Sequence, residues 1–456
     1  GFASSWVEGR VAKGWLEGDE CRNVGDYGWA WDGVACTEDG KVRALALDKA
    51  GLVGHIPPQI ALLKHVENLI IKNNPGLRGT IPSIIGNMSQ LRQLGLYGND
   101  LTGTMPESVS QLSNLVYLNL SSNKLMGQLD WEGLSHLRMI TRLILHNNFL
   151  EGSIQFHLLA KMGLSLLGLS NNLFSGYIDE AVGGLASLEY LYLDRNKLIG
   201  EIPSDIGYLT NLKALNIDEN EIDGTLPSTL GNLLQLEYLS ARSNRLSGGI
   251  PTTIKSLTNL STINLASNAL TGPIRPLIGM TGLKNVHLYQ NTLTGSIPAG
   301  VFALPNLENL FLSSNHLTGT LPGGIVNAQA SLTGLYLSDN FLRGTIPNQI
   351  CALYQLENMF LDTNGFSGPL PSCLDELTRL RRLLVFKNQL TGEIPSGLSN
   401  LADLVQLGIE ENHFTGALNN SCVAFGGNLK LWADCDELSD GCDCCTKCCS
   451  DGSSSC

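Results

Sequence analysis

Cysteine is the residue type in this chain most able to do chemistry: there are twelve, and six of them crowd into residues 442–456. Thiolates three positions apart, as at Cys445 and Cys448, can share one tetrahedral zinc ion. An oxidising compartment turns the same cluster into disulfides, and the even count needs no external partner. We therefore expect disulfides, with no metal site and no cofactor. Catalysis has no visible apparatus, since the eight histidines are scattered and HExxH, GxSxG and P-loop motifs are absent. A non-enzymatic protein is expected, although distant Ser, His and Asp side chains can still meet in space. NxS sequons at Asn87, Asn119, Asn259 and Asn419 make these four asparagines candidate glycosylation sites.

The elements that must position these residues are repeats of one unit. The pattern LxxLxLxxNxLxGxIP returns sixteen times at a period of about 24 residues, with its asparagine at positions such as Asn196, Asn315 and Asn412 and Ala50 in its place in the first copy. In the copy that starts at Leu188, the residues Leu188, Leu191, Leu193, Leu198, Ile202, Ile206 and Leu209 point inward. The YLYLD segment alternates as a strand must, and Asn196 turns the chain by bonding backbone groups that no strand satisfies. One copy cannot bury its own leucines and has to stack on its neighbours. The expected fold is α/β: a right-handed solenoid of about 16 repeats, with a parallel β-sheet on the concave face and short 3₁₀ or helical turns in irregular returns on the convex face. Cys351 and Cys373 lie 11 and 9 residues after Asn340 and Asn364, at nearly the same height on adjacent coils, so they are expected to pair.

The residue between the two strand leucines should be exposed on the concave face in every copy. Down the stack this position changes character abruptly, reaching His287, Phe311, Tyr336, Phe360 and Leu384 in five successive copies, with Tyr289 and Phe386 beside them. Two readings are open. The aromatics pack as neighbours along a parallel sheet, or they form a partner-binding strip, as contiguous exposed aromatics often do. Glu308, Asp339, Glu357 and Asp362 would rim the strip on one side, and Arg381, Arg382 and Lys387 would follow in the fifteenth copy. A smaller concentration holds Tyr190, Tyr192 and Tyr238 beside Asp194 and Asp218. It suits a sugar or a basic peptide, or simply a solvated acidic face. Asn119 lies on the concave line, so a glycan there would cover the amino-terminal half.

The GxIP ending of the repeat resembles the plant-type subclass of leucine-rich repeats, found in receptor ectodomains and polygalacturonase inhibitors. At the ends, "CRNVGDYGWAWDGVAC" resembles the cysteine-flanked cap that opens such ectodomains, and Cys422 with Cys435 resembles a closing cap. The tail "CDCCTKCC" is similar to secreted leucine-rich-repeat proteins of diatoms and related algae. The resemblance implies an amino-terminal cap over 1–41 with Cys21 bonded to Cys36, and a repeat domain over 42–418. It further implies a carboxy-terminal cap over 419–436 with Cys422 bonded to Cys435; the cysteine-rich tail over 437–456, with Asp, Gly and Ser between its cysteines and no repeat pattern, is expected not to extend the stack. Trp29 and Trp31 are expected against the first coil or its cap.

With 29 basic and 42 acidic residues the net charge is −13, which repels nucleic acid and anionic lipid. No apolar run reaches the roughly 18 residues of a membrane helix, and the chain opens without a charged and apolar leader. We expect a secreted recognition module, extracellular or in a cell wall, that binds a protein or peptide, or a carbohydrate, on its concave face. The alternative is a structural protein of cell wall, matrix or filament, assembled with copies of itself through its cysteine-rich tail.

Overall fold

The computed structural model describes residues 29–31, 33–415, 430–434 and 447–449, and it divides into two compact units at Asp223 and Gly224. In the first unit eight parallel strands follow one another from Val42–Asp48 through Tyr190–Tyr192 to Ala214–Asn216, one per copy. Val34–Cys36 runs antiparallel to the first of them, and Trp29–Trp31 lies antiparallel to Val34–Cys36.

In the second unit the same arrangement runs from Tyr238–Ser240 to Gln406–Gly408, always in parallel. It continues with Lys430–Asp434, and Lys447–Cys449 adds a further parallel strand with Trp432 opposite Lys447. This corrects the expectation that the tail leaves the stack. An open sheet edge offers unpaired amides and carbonyls to whichever segment follows, and that need does not depend on the repeat motif.

The returns are more regular than expected. The segment after each asparagine is itself a short strand, from Val53–His55 to Glu221–Asp223 in the first unit and from Ser247–Gly249 to His413–Thr415 in the second, giving each unit a second, eight-stranded parallel sheet. The glycine of GxIP makes this sheet possible. At Gly200 φ is +76°, and a Cβ there would stand 2.5 Å from the Tyr177 ring, which lies across it from the preceding coil. Most returns then close with a proline and a 3₁₀ turn such as Ser204–Tyr208, and Glu180–Gly184 makes its 3₁₀ turn after Asp179 without the proline. Three single α-helical turns stand in for it, at Trp131–Leu134, Phe156–Leu159 and Ala299–Phe302.

All seven inward residues of the copy starting at Leu188 are buried, none more than 5% exposed. The polar counterpart of this core is the asparagine. Asn315 donates through Nδ2 to the carbonyls of Leu288 (2.9 Å), Leu312 (3.0 Å) and Ser313 (3.3 Å), and its Oδ1 accepts from Leu293 N (3.0 Å). Leu288 and Leu293 belong to the preceding coil, so the amide both turns its own chain and fastens the neighbour. Where Ala50 replaces the asparagine, Asn74 of the following coil still reaches Leu47 O and accepts from Leu52 N.

The turn also carries a conformation that the motif does not spell out. The residue before each anchor is left-handed, with φ between 50° and 58° at fifteen non-glycine positions such as Gln290, Ser314 and Thr363. Only Gly98 meets this demand with the residue best suited to it. Each of the others costs roughly 1 kcal/mol, which the amide network must offset. Replacing Asn315 by Ala should cost about 3 kcal/mol, because Leu293 N and three carbonyls lose a buried partner at once. Urea titration checks this; a loss under about 1 kcal/mol would show the network to be incidental.

Candidate functional site

The strip read from the sequence lies wholly in the second unit. Its residues face one another in strict register, His287 opposite Phe311, Phe311 opposite Tyr336, Tyr336 opposite Phe360, and Phe360 opposite Leu384. His287 and Phe311 stack at 4.4 Å between ring centroids and 11° between planes, and Phe311 and Tyr336 at 4.2 Å and 12°. Phe360 breaks the stack, standing edge-on to Tyr336 at 4.9 Å and 83°. The stacked rings therefore spend their faces on one another. What they offer outward is a row of ring edges, which carry partial positive charge.

Expected exposure fails at several positions of this line. Leu384 is only 9% exposed and Ser240 is fully buried. In the first unit Asn119 is 7% exposed, because its amide donates to Tyr117 Oη (2.8 Å) and accepts from Ser121 N (3.0 Å) and Ser121 Oγ (2.6 Å). Short polar side chains on adjacent positions bond each other and fold down onto the sheet, where large rings stand up from it.

Polar side chains flank the ring row. On one side Asn309 Nδ2 donates to Asn285 Oδ1 (2.9 Å) and Thr333 Oγ1 donates to Asn309 Oδ1 (3.3 Å). Gly334 comes next, and a Cβ there would lie 2.6 Å from the Tyr336 ring and 2.5 Å from Asn309 Oδ1. The absence of a side chain at Gly334 is what lets Tyr336 lie as it does. On the other side are Tyr289 and Phe386, both half-buried, with Asp362 between them in the row. Asp362 is buried rather than a rim charge, and Ser338 Oγ donates to it at 2.6 Å. Burial raises its carboxyl above the ordinary range, and the Ser338 bond opposes the shift. Glu308 is paired with Lys284 at 3.5 Å and Lys387 with Glu411 at 3.4 Å. Arg381 and Arg382 are exposed at the end of the strip.

Burial likewise lowers His287, with Arg242 adding to the effect, and it raises Tyr336 against the opposing pull of Arg382. Neutral His287 suits a ring pressed against Phe311.

The smaller concentration of tyrosines does not form one cluster. Tyr190 and Tyr192 stack at 6.3 Å in the first unit, whereas Tyr238 belongs to a strand of the second. Asp194 accepts from Ser170 Oγ, and the Asp218 backbone N–H donates to Asn216 Oδ1 (3.1 Å). Ser170 gives its proton directly to the Asp194 carboxylate, with no imidazole placed between them. Activation of a serine needs the histidine in the middle. Among the described residues no group of three or more His, Cys, Asp or Glu side chains could hold a metal ion, and no helix is long and apolar enough to cross a membrane.

Cys351 and Cys373 are joined by a disulfide with 5.8 Å between Cα atoms. Cys36 is disulfide-bonded. Cys21, Cys422, Cys435 and Asn419 lie outside the described residues, as do the side chains of Trp29 and Trp31. Asn87 and Asn259 are exposed, although Asn259 Nδ2 is engaged with Leu234 O at 2.9 Å.

Three leucine-rich-repeat family models match the chain. One, a leucine-rich repeat region, covers 155–310; the second covers 64–125 and 89–150; the third covers 306–328, 331–353 and 379–401. Among solved structures the chain is similar to a TDR receptor at 30% identity, over 85% of this chain and 67% of that one, with a TM-score of 0.81. It is also similar to the plant peptide hormone receptor RGFR1, crystallised in complex with RGF2, at 29% identity over 90% and 72%, with a TM-score of 0.79. The Leptospira interrogans leucine-rich-repeat protein LIC12759 shares 31% identity over 76% and 84%, with a TM-score of 0.64. The fold is a leucine-rich-repeat solenoid. This chain belongs to the leucine-rich-repeat family and resembles the ectodomains of plant receptors.

Two outcomes are expected from this geometry. In a histidine-labelled NMR titration His287 should titrate below 6.5, and Phe311→Ala should move it back up by opening the ring to water. Because the folded value is the lower one, His287 contributes stability that is full above about 6.5 and is lost as the pH drops below that and through the lower folded value. A midpoint at or above 6.5 in the intact chain would contradict the stacked burial. In glycopeptide mass spectrometry of secreted material, of the three sequons within the described residues Asn87 and Asn259 can carry a glycan and Asn119, whose amide is buried, should carry none; occupancy at Asn119 would contradict the inner-face packing.

Proposed function

We propose that this chain is an extracellular, non-enzymatic recognition module that binds an extended protein or peptide segment along the strip formed by His287, Tyr289, Phe311, Tyr336, Phe360, Leu384, Phe386 and Arg382. The observation that carries this reading is the ring geometry. A sugar binds an aromatic by lying on its face, and here both faces of Phe311 and one face each of His287 and Tyr336 are already taken by neighbouring rings. Ring edges attract carbonyl oxygens, and amides flank the row at Asn285 and Asn309, which bond each other, and at Asn358 beyond Gly334. A peptide backbone offers the matching groups; a carbohydrate does not use the edges. Similarity to a peptide hormone receptor supports the same partner class. Secretion fits the disulfides of Cys36, Cys351 and Cys373, which a reducing cytosol would not keep.

The stacking reading of the strip is compatible with recognition, because rings that hold one another upright lose little entropy on binding. Phe311 is held on both sides, so its replacement also costs stability, about 1–3 kcal/mol for two stacked contacts. Phe360 is the cleaner probe. After affinity capture from extracellular fluid and identification by mass spectrometry, the captured partner should bind Phe360→Asp at least about 100-fold more weakly than wild type, with little change in melting temperature. Equal binding by both would return the rings to packing alone.

A further inference from the structure

The inner row of the second unit does not stop at Leu384. Gly408 is opposite Leu384, and Trp432 is opposite Gly408 in a strand outside the repeat motif. Leu431 and Ala433 are buried on either side of Trp432, so Trp432 faces the same way as Phe360 and Leu384, and it is half-buried. Gly408 supplies no side chain of its own. A Cβ there would stand 3.1 Å from Leu384 Cδ2 and 3.2 Å from Phe386 Cδ1, so these two side chains lean across the glycine towards the coil of Trp432. The apolar surface thus runs from Phe360 over Leu384 and Phe386 to an indole, with the buried Glu410 beside Gly408, its Oε2 at 3.5 Å from the same point.

Charge changes along the flank of this surface. Arg382, Gln406 and Lys430 occupy one register line, and Arg382 and Lys430 are exposed with no carboxylate in salt-bridge reach among the described residues. Earlier on the same flank Glu308 and Glu357 precede them. We infer that Trp432 and Lys430 are partner-contact residues, and that the bound segment sets an apolar side chain over Gly408 against Trp432 and an acidic side chain between Arg382 and Lys430. The inference rests on the strip being a partner site. It adds where the strip ends and which way the partner's charges run.

The test uses a phage library of random peptides of about twelve residues, selected on the full wild-type chain and rescreened on four variants. Enriched clones should carry an Asp or Glu beside an apolar residue. They should bind Trp432→Ala about 30-fold more weakly and Lys430→Glu about tenfold more weakly, the latter difference shrinking at high salt. Thermal melts and the variant Trp432→Phe, expected to keep most of the affinity, separate contact loss from misfolding. Lys430→Glu changes an exposed residue and decides the matter if Trp432→Ala is unstable. Clones that are lost on Phe360→Asp but bind Lys430→Glu, and Trp432→Ala where it folds, like wild type, with no acidic preference, would end the strip before Gly408 and overturn the inference. Clones indifferent to Phe360→Asp, or no enrichment at all, would instead remove the partner site itself.

Discussion

The side-chain amide of one asparagine per coil is the interaction on which the rest of the structure depends. Asn315 accepts from one coil and donates to that coil and its own, and Asn340, Asn364 and Asn388 repeat the pattern. These bonds are made where burial leaves no water to replace them, so each is worth more than its exposed equivalent. They hold a left-handed residue in place in every turn. They also fix where the next strand starts, and with it the register of every side chain on the inner face.

Register is what turns a list of aromatics into a surface. Rings at 4.2 and 4.4 Å from one another lie a little closer than neighbouring parallel strands, about 4.8 Å apart, so a small lean of the side chains stacks them with the backbone unchanged. Gly334 and Gly408 show the same constraint from the other side, since an added Cβ would displace Asn309 or Tyr336 at the first and crowd Leu384 and Phe386 at the second. Packing and display are one arrangement here: the strip is stable because its rings touch, and it presents edges for the same reason.

Much of this was legible in the sequence. The period of the leucines, the anchoring asparagine and the offsets of Cys351 and Cys373 are local patterns that act through the coil-to-coil repeat, and the repeat transmits them faithfully into space. What was not legible depends on contacts between coils. The GxIP return reads as irregular because its strands are short and hold a left-handed glycine, yet they pair with their neighbours. Asn119 reads as exposed because its partners Tyr117 and Ser121 are recognisable only once the rotamers are seen. Trp432 was missed because the motif that locates the inner row ends before it, although the sheet goes on.

A rigid strand face is the central claim, since recognition by display needs a surface that is set before the partner arrives. Native-state hydrogen exchange read by mass spectrometry tests it most directly, on the free chain and on peptides that contain Leu293, Leu317 and Leu342, whose backbone N–H groups donate to Asn315, Asn340 and Asn364. The account predicts that these amides exchange as slowly as those of Val286, Leu310 and Leu335 in the strands, because both open only when coils separate. Exchange at the rate of surface turns, with the strands still protected, would contradict it and leave the ring row without the frame that is held to set it.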